Sequence, residues 1–192
     1  MWRRLRLRPS GVVRIRGGDL YTALMIDTHC HLTSKDIFPR LAEVLAAARD
    51  VGVDRMINVG TTPDDSAAAA ALAAEHEHLF ATAGIHPHEA ADFKDDPAAL
   101  DAIRQTLRQP RVIAIGEMGL DRHYKDPPIA DQKRLFIAQL ALAGEAEFAH
   151  LPIVIHNREA TDETIQLIRE SGLPGHRFVF HCFTGDENEV RQ

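Results

Sequence analysis

Two histidines one residue apart open the chemistry of this chain. His29 and His31 close a short apolar run in "MIDTHCHL", residues 25–32. In an extended strand, residues i and i+2 project to the same face. Two imidazoles on one face at a strand end can share one metal ion. Residues of the same kind close other apolar runs: His86 in "GIHPH", Glu117 in "GEMGLD", His156 in "VIHNR" and His181 in "FHCFTG". A lone histidine after a strand is more often a hydrogen-bonded structural residue than a ligand. Repetition at matching positions changes that reading, because residues distant in sequence converge where parallel strands end. Glu117 is the most telling. "VIAIGE" runs mostly apolar residues into an acid, and a buried carboxylate needs a cation. A carboxylate can bridge two ions while imidazoles hold each from the side. Two such ions clamp the attacking and leaving oxygens of a phosphoryl displacement and lower the pKa of a bridging water. Imidazole-rich sites suit Zn, Mn, Fe, Co or Ni better than Mg. The expectation is two divalent ions, Zn, Mn, Mg or similar.

The elements that must position these residues alternate from Met25 onward. Six stretches read as strands: "MIDTHCH", "VDRMINVG", "LFATAGIH", "RVIAIGE", "LPIVIH" and "RFVFHCF". Between them, "IFPRLAEVLAAARDVG", "TPDDSAAAAALAAEHEH", "PAALDAIRQTLRQ", "ADQKRLFIAQLALAGEAE" and "ATDETIQLIRESG" read as helices, and "DENEVRQ" starts another. The strands are near-continuous apolar runs, as in a parallel sheet covered by helices on both faces. The class is therefore α/β, either an open doubly wound sheet or a (β/α)8 barrel. Neither GxGxxG nor GxxxxGK[ST] occurs, so the nucleotide-binding version has no support. Cys30 and Cys182 each neighbour a candidate ligand. Strand alternation turns them toward the helix layer, as small core residues.

Composition bounds the rest. The chain has 192 residues, 45% hydrophobic and 26% charged, with eleven histidines and two cysteines. That balance is ordinary for a soluble globular protein. No apolar run approaches the length of a membrane span, and so few cysteines indicate no disulfide framework and a reducing cytoplasm. Net charge is −6, with +5 on residues 1–24 and −11 on the remainder. An acidic body offers no broad footprint for nucleic acid, so phosphate must be met by metal ions or a few arginines. Residues 1–24 are arginine-rich and lack a secretory apolar core. They are expected to be a disordered upstream extension, with the domain over 25–192.

The motifs "DTHCHL", "GIHPH", "GEMGLD", "DQKRLFIAQL", "LPIVIHNREA" and "HCFTG" resemble, in order, those of the TatD family of metal-dependent deoxyribonucleases, which belong to the amidohydrolase-like barrels. The resemblance implies a TIM-type (β/α)8 barrel that uses divalent metals to hydrolyse phosphodiester bonds of DNA, typically from the 3′ end. It implies His29 and His31 as ligands of a first ion, Glu117 as the bridge, and His156 and His181 as ligands of a second. His86 and Arg158 are placed to meet substrate phosphate, and Arg158 could equally form a helix-end salt bridge. The family pattern also has an aspartate in a "TDxP"-like motif that does not occur in this sequence. About six of eight βα units are present, in 168 residues from Met25 against about 250 for a usual barrel. Open edges on the first and sixth strands predict low stability or aggregation of the chain alone. Two other readings stand beside the nuclease: an amidohydrolase-type hydrolase of C–N or C–O bonds, and an inactive metal-binding fragment. Barrels of the former kind often carry lysine where this chain has Glu117.

Overall fold

Each strand is followed by at least one helix, with two between the third and fourth strands, in the computed structural model, which describes residues 25–191. The expected upstream extension, 1–24, lies outside the described residues. The strands are β1 (Met25–Cys30), β2 (Val53–Val59), β3 (Leu79–Ala83), β4 (Val112–Asp121), β5 (Ile153–Arg158) and β6 (Phe178–Phe180). Each pairs in parallel with the next, giving the sheet order β1-β2-β3-β4-β5-β6. An order that never reverses is the winding of a barrel; a doubly wound sheet switches direction part-way. The sheet curls enough for side chains at its first and last strands to meet. The rings of His29, on β1, and His181, just past β6, stack with centroids 3.4 Å apart. Backbone pairing between β1 and β6 is absent among the described residues. The edge residues Met25, Ile26 and Val179 are about half exposed.

The helices are α1 (Leu41–Asp50), α2 (Pro63–Glu75), α3 (Ala90–Phe93), α4 (Pro97–Leu107), α5 (Ile129–Ala143), α6 (Thr161–Ser171) and α7 (Glu187–Val190). Local chemistry sets their ends. Thr62 caps α2 by accepting from the Asp65 amide, with Pro63 in the first turn. Asp96 caps α4 through two amides, again ahead of a proline. These are the side chains that satisfy free N–H groups at a helix start. Gly172 ends α6 with φ +68°, a left-handed turn that glycine adopts without penalty. Between sheet and helices lies a core that includes Phe136, Phe148, Ile103, Ile115, Ile153 and Ile155, each under 2% exposed.

Several boundaries differ from the sequence reading. The fourth strand does not stop at Glu117 but runs to Asp121, and the fifth continues past His156 to Arg158. The first helix is preceded by a 3-10 turn at Phe38–Arg40, and α2 ends at Glu75, before the two histidines that follow. Cys30 is half-buried and donates its thiol to Ile57 O, which suits the core reading; burial, with Asp27 nearby, pushes that thiol up to about 12. Cys182 is exposed at φ +45° and is not a core residue, because the sixth strand ends at Phe180 and alternation no longer governs it.

Candidate metal centre

Glu117 sits mid-way along β4 and is 3% exposed. A lone carboxylate at that depth is strongly disfavoured, and here its two oxygens face different imidazoles. Oε2 lies 3.1 Å from His29 Nε2. Oε1 lies 2.9 Å from His156 Nδ1. Burial pushes the carboxyl up, but His156, then His29, outweigh it and hold the group well below the usual carboxylate range.

The β1 flank holds His29 and His31, whose rings meet edge to face at 5.1 Å. The His31 Nδ1–H donates to Val59 O at 3.1 Å. A carbonyl only accepts, so Nε2 of a neutral ring keeps its lone pair. The loop that follows is pinned by the Leu32 amide, which donates to Asn58 Oδ1 at 2.7 Å. His29 Nε2 is buried and makes no hydrogen bond, although Glu117 Oε2 is 3.1 Å away. One donor atom each from His29, His31 and Glu117 lie within 4.8 Å of one another. Two imidazoles, one carboxylate and an unpartnered buried nitrogen are what a borderline divalent cation requires. The residues present therefore fit a metal ion.

The β5 flank is denser. His86 caps the 3-10 turn after β3: its Nδ1 accepts from the His88 amide at 3.2 Å, and its Nε2 lies 3.1 Å from His156 Nδ1. Burial, then the neighbouring His156, push the His86 ring down to about 3, so it is neutral. With Nδ1 accepting, its proton sits on Nε2. His156 Nε2 lies 3.0 Å from Asp121 Oδ2, and the same oxygen takes His88 Nε2 at 2.9 Å. Burial pushes His156 down, but its bonds to Glu117 and Asp121 outweigh that and raise it. Two further donor groupings result, His86–Glu117–His156 and His88–Asp121–His156.

Two glutamines of α5 hold the backbone beneath this flank. Gln139 accepts from Ile85 N and donates to Ile85 O, both at 2.8 Å. Gln132 accepts from Asp121 N at 2.8 Å and donates to Asp121 O and Pro127 O. Both side chains are 1% exposed. They are seven residues apart, which is two helical turns and one face. The "DQKRLFIAQL" segment thereby grips the segments after β3 and at the end of β4.

The structure brings His29, His31, Glu117, His86 and His156 to one place. His181 is in none of the three donor groupings; it stacks on His29, at 11° between ring planes, within electrostatic reach of Glu117 and His156. Burial, then His29, lower its pKa. Arg158 ends β5 with its guanidinium over the Tyr124 ring, 5.4 Å from the centroid. A cleft of about 530 Å³ opens above the centre, bordered by His31, Thr61, Asp65, His86, His88 and Glu117. Sequence reasoning passed over Asp121, His88 and the two glutamines. Asp121 was within reach: it stands four residues after Glu117, an even spacing on one strand face.

Residues 26–192 match the family model described as TatD related DNase. The chain belongs to this family. It is 35% identical to an uncharacterized metal-dependent hydrolase, YabD, of Bacillus subtilis, over 88% of this chain and 64% of that one. It is 38% identical to the 3′-5′ ssDNA/RNA exonuclease TatD of Klebsiella pneumoniae, over 88% and 62%. Among solved structures it is similar to YjjV, a TatD homolog from Escherichia coli, with TM-score 0.79 and 30% identity over 88% of this chain and 64% of that one. A TatD family hydrolase from Entamoeba histolytica gives 0.77 and 25%, over 88% and 61%. The chain thus spans somewhat under two thirds of the length of the relatives it matches.

Proposed function

We propose that this chain carries a divalent-metal-dependent hydrolase site for phosphodiester bonds, with single-stranded DNA as substrate and cleavage from the 3′ end. The observation that carries this reading is the placement of the two Glu117 oxygens, one toward His29 and one toward His156. A carboxylate so divided is the bridge that a two-ion site needs. His29 and His31 would hold one ion with Glu117, and His156 and His181 the other. Zn, Mn or a similar ion suits the imidazole-rich donors, and Mg suits them less. When bound, the ions supply Lewis acidity and a water of lowered pKa.

The remaining roles fall to the chain itself. His86, neutral with its proton on Nε2, would offer that N–H to a phosphate oxygen in the cleft once His156 Nδ1 is taken up by an ion. Arg158 offers a cation at the end of β5 for a neighbouring phosphate. His181 packs against His29 and fixes its ring plane. Among the described residues, no lysine or arginine borders the cleft, so attraction of a polyanion would rest on bound cations and not on a basic surface. Residues 25–192 act as the unit that bears the site. The location is the cytoplasm, supported by two cysteines that are both free thiols. No helix among the described residues is long and apolar enough to cross a membrane.

The test is release of nucleotides from single-stranded DNA by the 192-residue chain with Mn²⁺ or Zn²⁺ added, against Glu117→Ala. The expected loss in the variant is about 10³-fold, equivalent to about 4 kcal/mol on the barrier. Turnover that persists in Glu117→Ala, or that ignores chelation of the metal, would sink the proposal.

A further inference from the structure

Asp121 accepts four hydrogen bonds while 1% exposed. Its Oδ1 takes the amides of His123 at 2.9 Å and Tyr124 at 3.4 Å. Its Oδ2 takes His88 Nε2 at 2.9 Å and His156 Nε2 at 3.0 Å. Two carboxylate oxygens offer about four lone-pair directions, so the group is saturated by protein donors. The His156 ring lies between this carboxylate and Glu117, one nitrogen toward each. A neutral imidazole has one proton. If that proton is on Nε2, toward Asp121, the Nδ1 lone pair faces Glu117 Oε1 and the His86 Nε2 donor, 2.9 and 3.1 Å away.

We propose that Asp121 is a positioning residue: it fixes the proton of His156 on Nε2 and so presents Nδ1 as the donor atom at the centre. The inference rests on the reading above, that His156 holds an ion beside Glu117. A carboxylate behind a ligand histidine fixes its tautomer and ring angle, and its loss typically costs 10–100-fold in metal affinity. The competing arrangement puts a third ion among His88, Asp121 and His156. It would have to displace donors from a saturated carboxylate and strip the last proton from His156, leaving an imidazolate. The hydrogen-bond count therefore favours positioning.

The test is zinc titration of the full chain by calorimetry, with histidine ¹⁵N spectra of the same samples. In the zinc-loaded wild type, His156 should be a single neutral tautomer protonated on Nε2, with its Nδ1 resonance shifted by the metal and assigned by its disappearance in His156→Gln. Asp121→Asn should bind zinc 10–100-fold more weakly at one of two positions, and its His156 should populate both tautomers. The wild-type spectrum stands without the variant, so a failure of Asp121→Asn to fold leaves the proposal exposed to refutation. A His156 proton on Nδ1 in the zinc-loaded wild type, or unchanged zinc affinity in Asp121→Asn, overturns it. Three zinc ions in the wild type and outright loss of one in Asp121→Asn would make Asp121 a ligand, and overturns it too. Unchanged zinc binding in His156→Gln overturns the underlying assignment of His156 instead, a distinct signature.

Discussion

On the β5 side of Glu117, both nitrogens of His86 and both of His156 have polar partners within 3.2 Å. On the β1 side, His29 Nε2 is buried 3.1 Å from a carboxylate oxygen and hydrogen-bonds to nothing. The first flank lies between β3, β4 and β5, inside the sheet. The second lies on an edge strand whose first residues, Met25 and Ile26, are about half exposed. Protein groups alone organise the inner flank. The outer flank is organised for something that the protein's own donors do not supply. One carboxylate therefore joins a half-site set by the fold to a half-site that a cation would complete.

Removing the imidazole from each flank should separate them most widely. Without metal, His156→Ala leaves two carboxylates, Glu117 and Asp121, buried and short of a donor, and should cost about 3 kcal/mol in denaturant unfolding. His29→Ala removes the lesser of the two imidazoles that hold Glu117 low and should cost less, about 1–2 kcal/mol. Equal losses would erase the distinction. Adding zinc should reverse the order. At a hundredfold excess over Kd the wild type should gain about 2.7 kcal/mol per occupied position, and His29→Ala should gain less than the wild type in the same titration. An identical gain would show that the β1 flank takes no ion.

The glutamine grip sharpens the comparison at a distance from the centre. Gln139→Leu leaves the Ile85 N–H and C=O without their side-chain partner and should cost about 2 kcal/mol, read as a shift in denaturant midpoint at constant slope. A neutral result would mean that water replaces the amide. The smallest expected effect is on the surface. Glu163 faces Arg122 and Lys133, which hold its carboxyl down to about 2. A depressed carboxyl stabilises above its ordinary pKa of 4.5 and loses that contribution as pH falls toward 2. Glu163→Gln should cost less than about 1 kcal/mol at pH 7, because solvent screens the pair. The difference from wild type should vanish by about pH 2; a difference that widens there contradicts the assignment.

The alternation of strands and helices was legible because buried parallel strands are written as unbroken apolar runs. The convergence of His29, His31, His86, Glu117 and His156 was legible from strand ends. What stayed hidden follows from backbone geometry. "GEMGLD" contains two glycines, which read as a strand stop. In the structure they serve an irregular but continuing strand. Pairing with β5 slips between Ile115 and Met118, and Gly116 and Gly119 have φ of +121° and +149°. A Cβ at Gly119 would lie 2.0 Å from His156 O, so only glycine allows that approach. With the strand read as ending at Glu117, Asp121 fell outside any face. The stack of His181 on His29 was not legible, because it depends on the curl of the sheet, and curl is a property of the whole sheet. Gln132 and Gln139 carried no signal of their own, because polar residues on a helix ordinarily face water.

Those glutamines have a consequence for the clock of the molecule. Ile85 lies beyond the end of β3, in a connection that would normally trade its amide hydrogen with solvent quickly. Its N–H is instead locked to a side chain on the far layer, as is that of Asp121. Neither hydrogen can leave until α5 lifts from the sheet. Deuterium uptake at these two amides should therefore run at one shared rate, that of the helix, and a connection and a strand end separated by 35 residues would keep the same time.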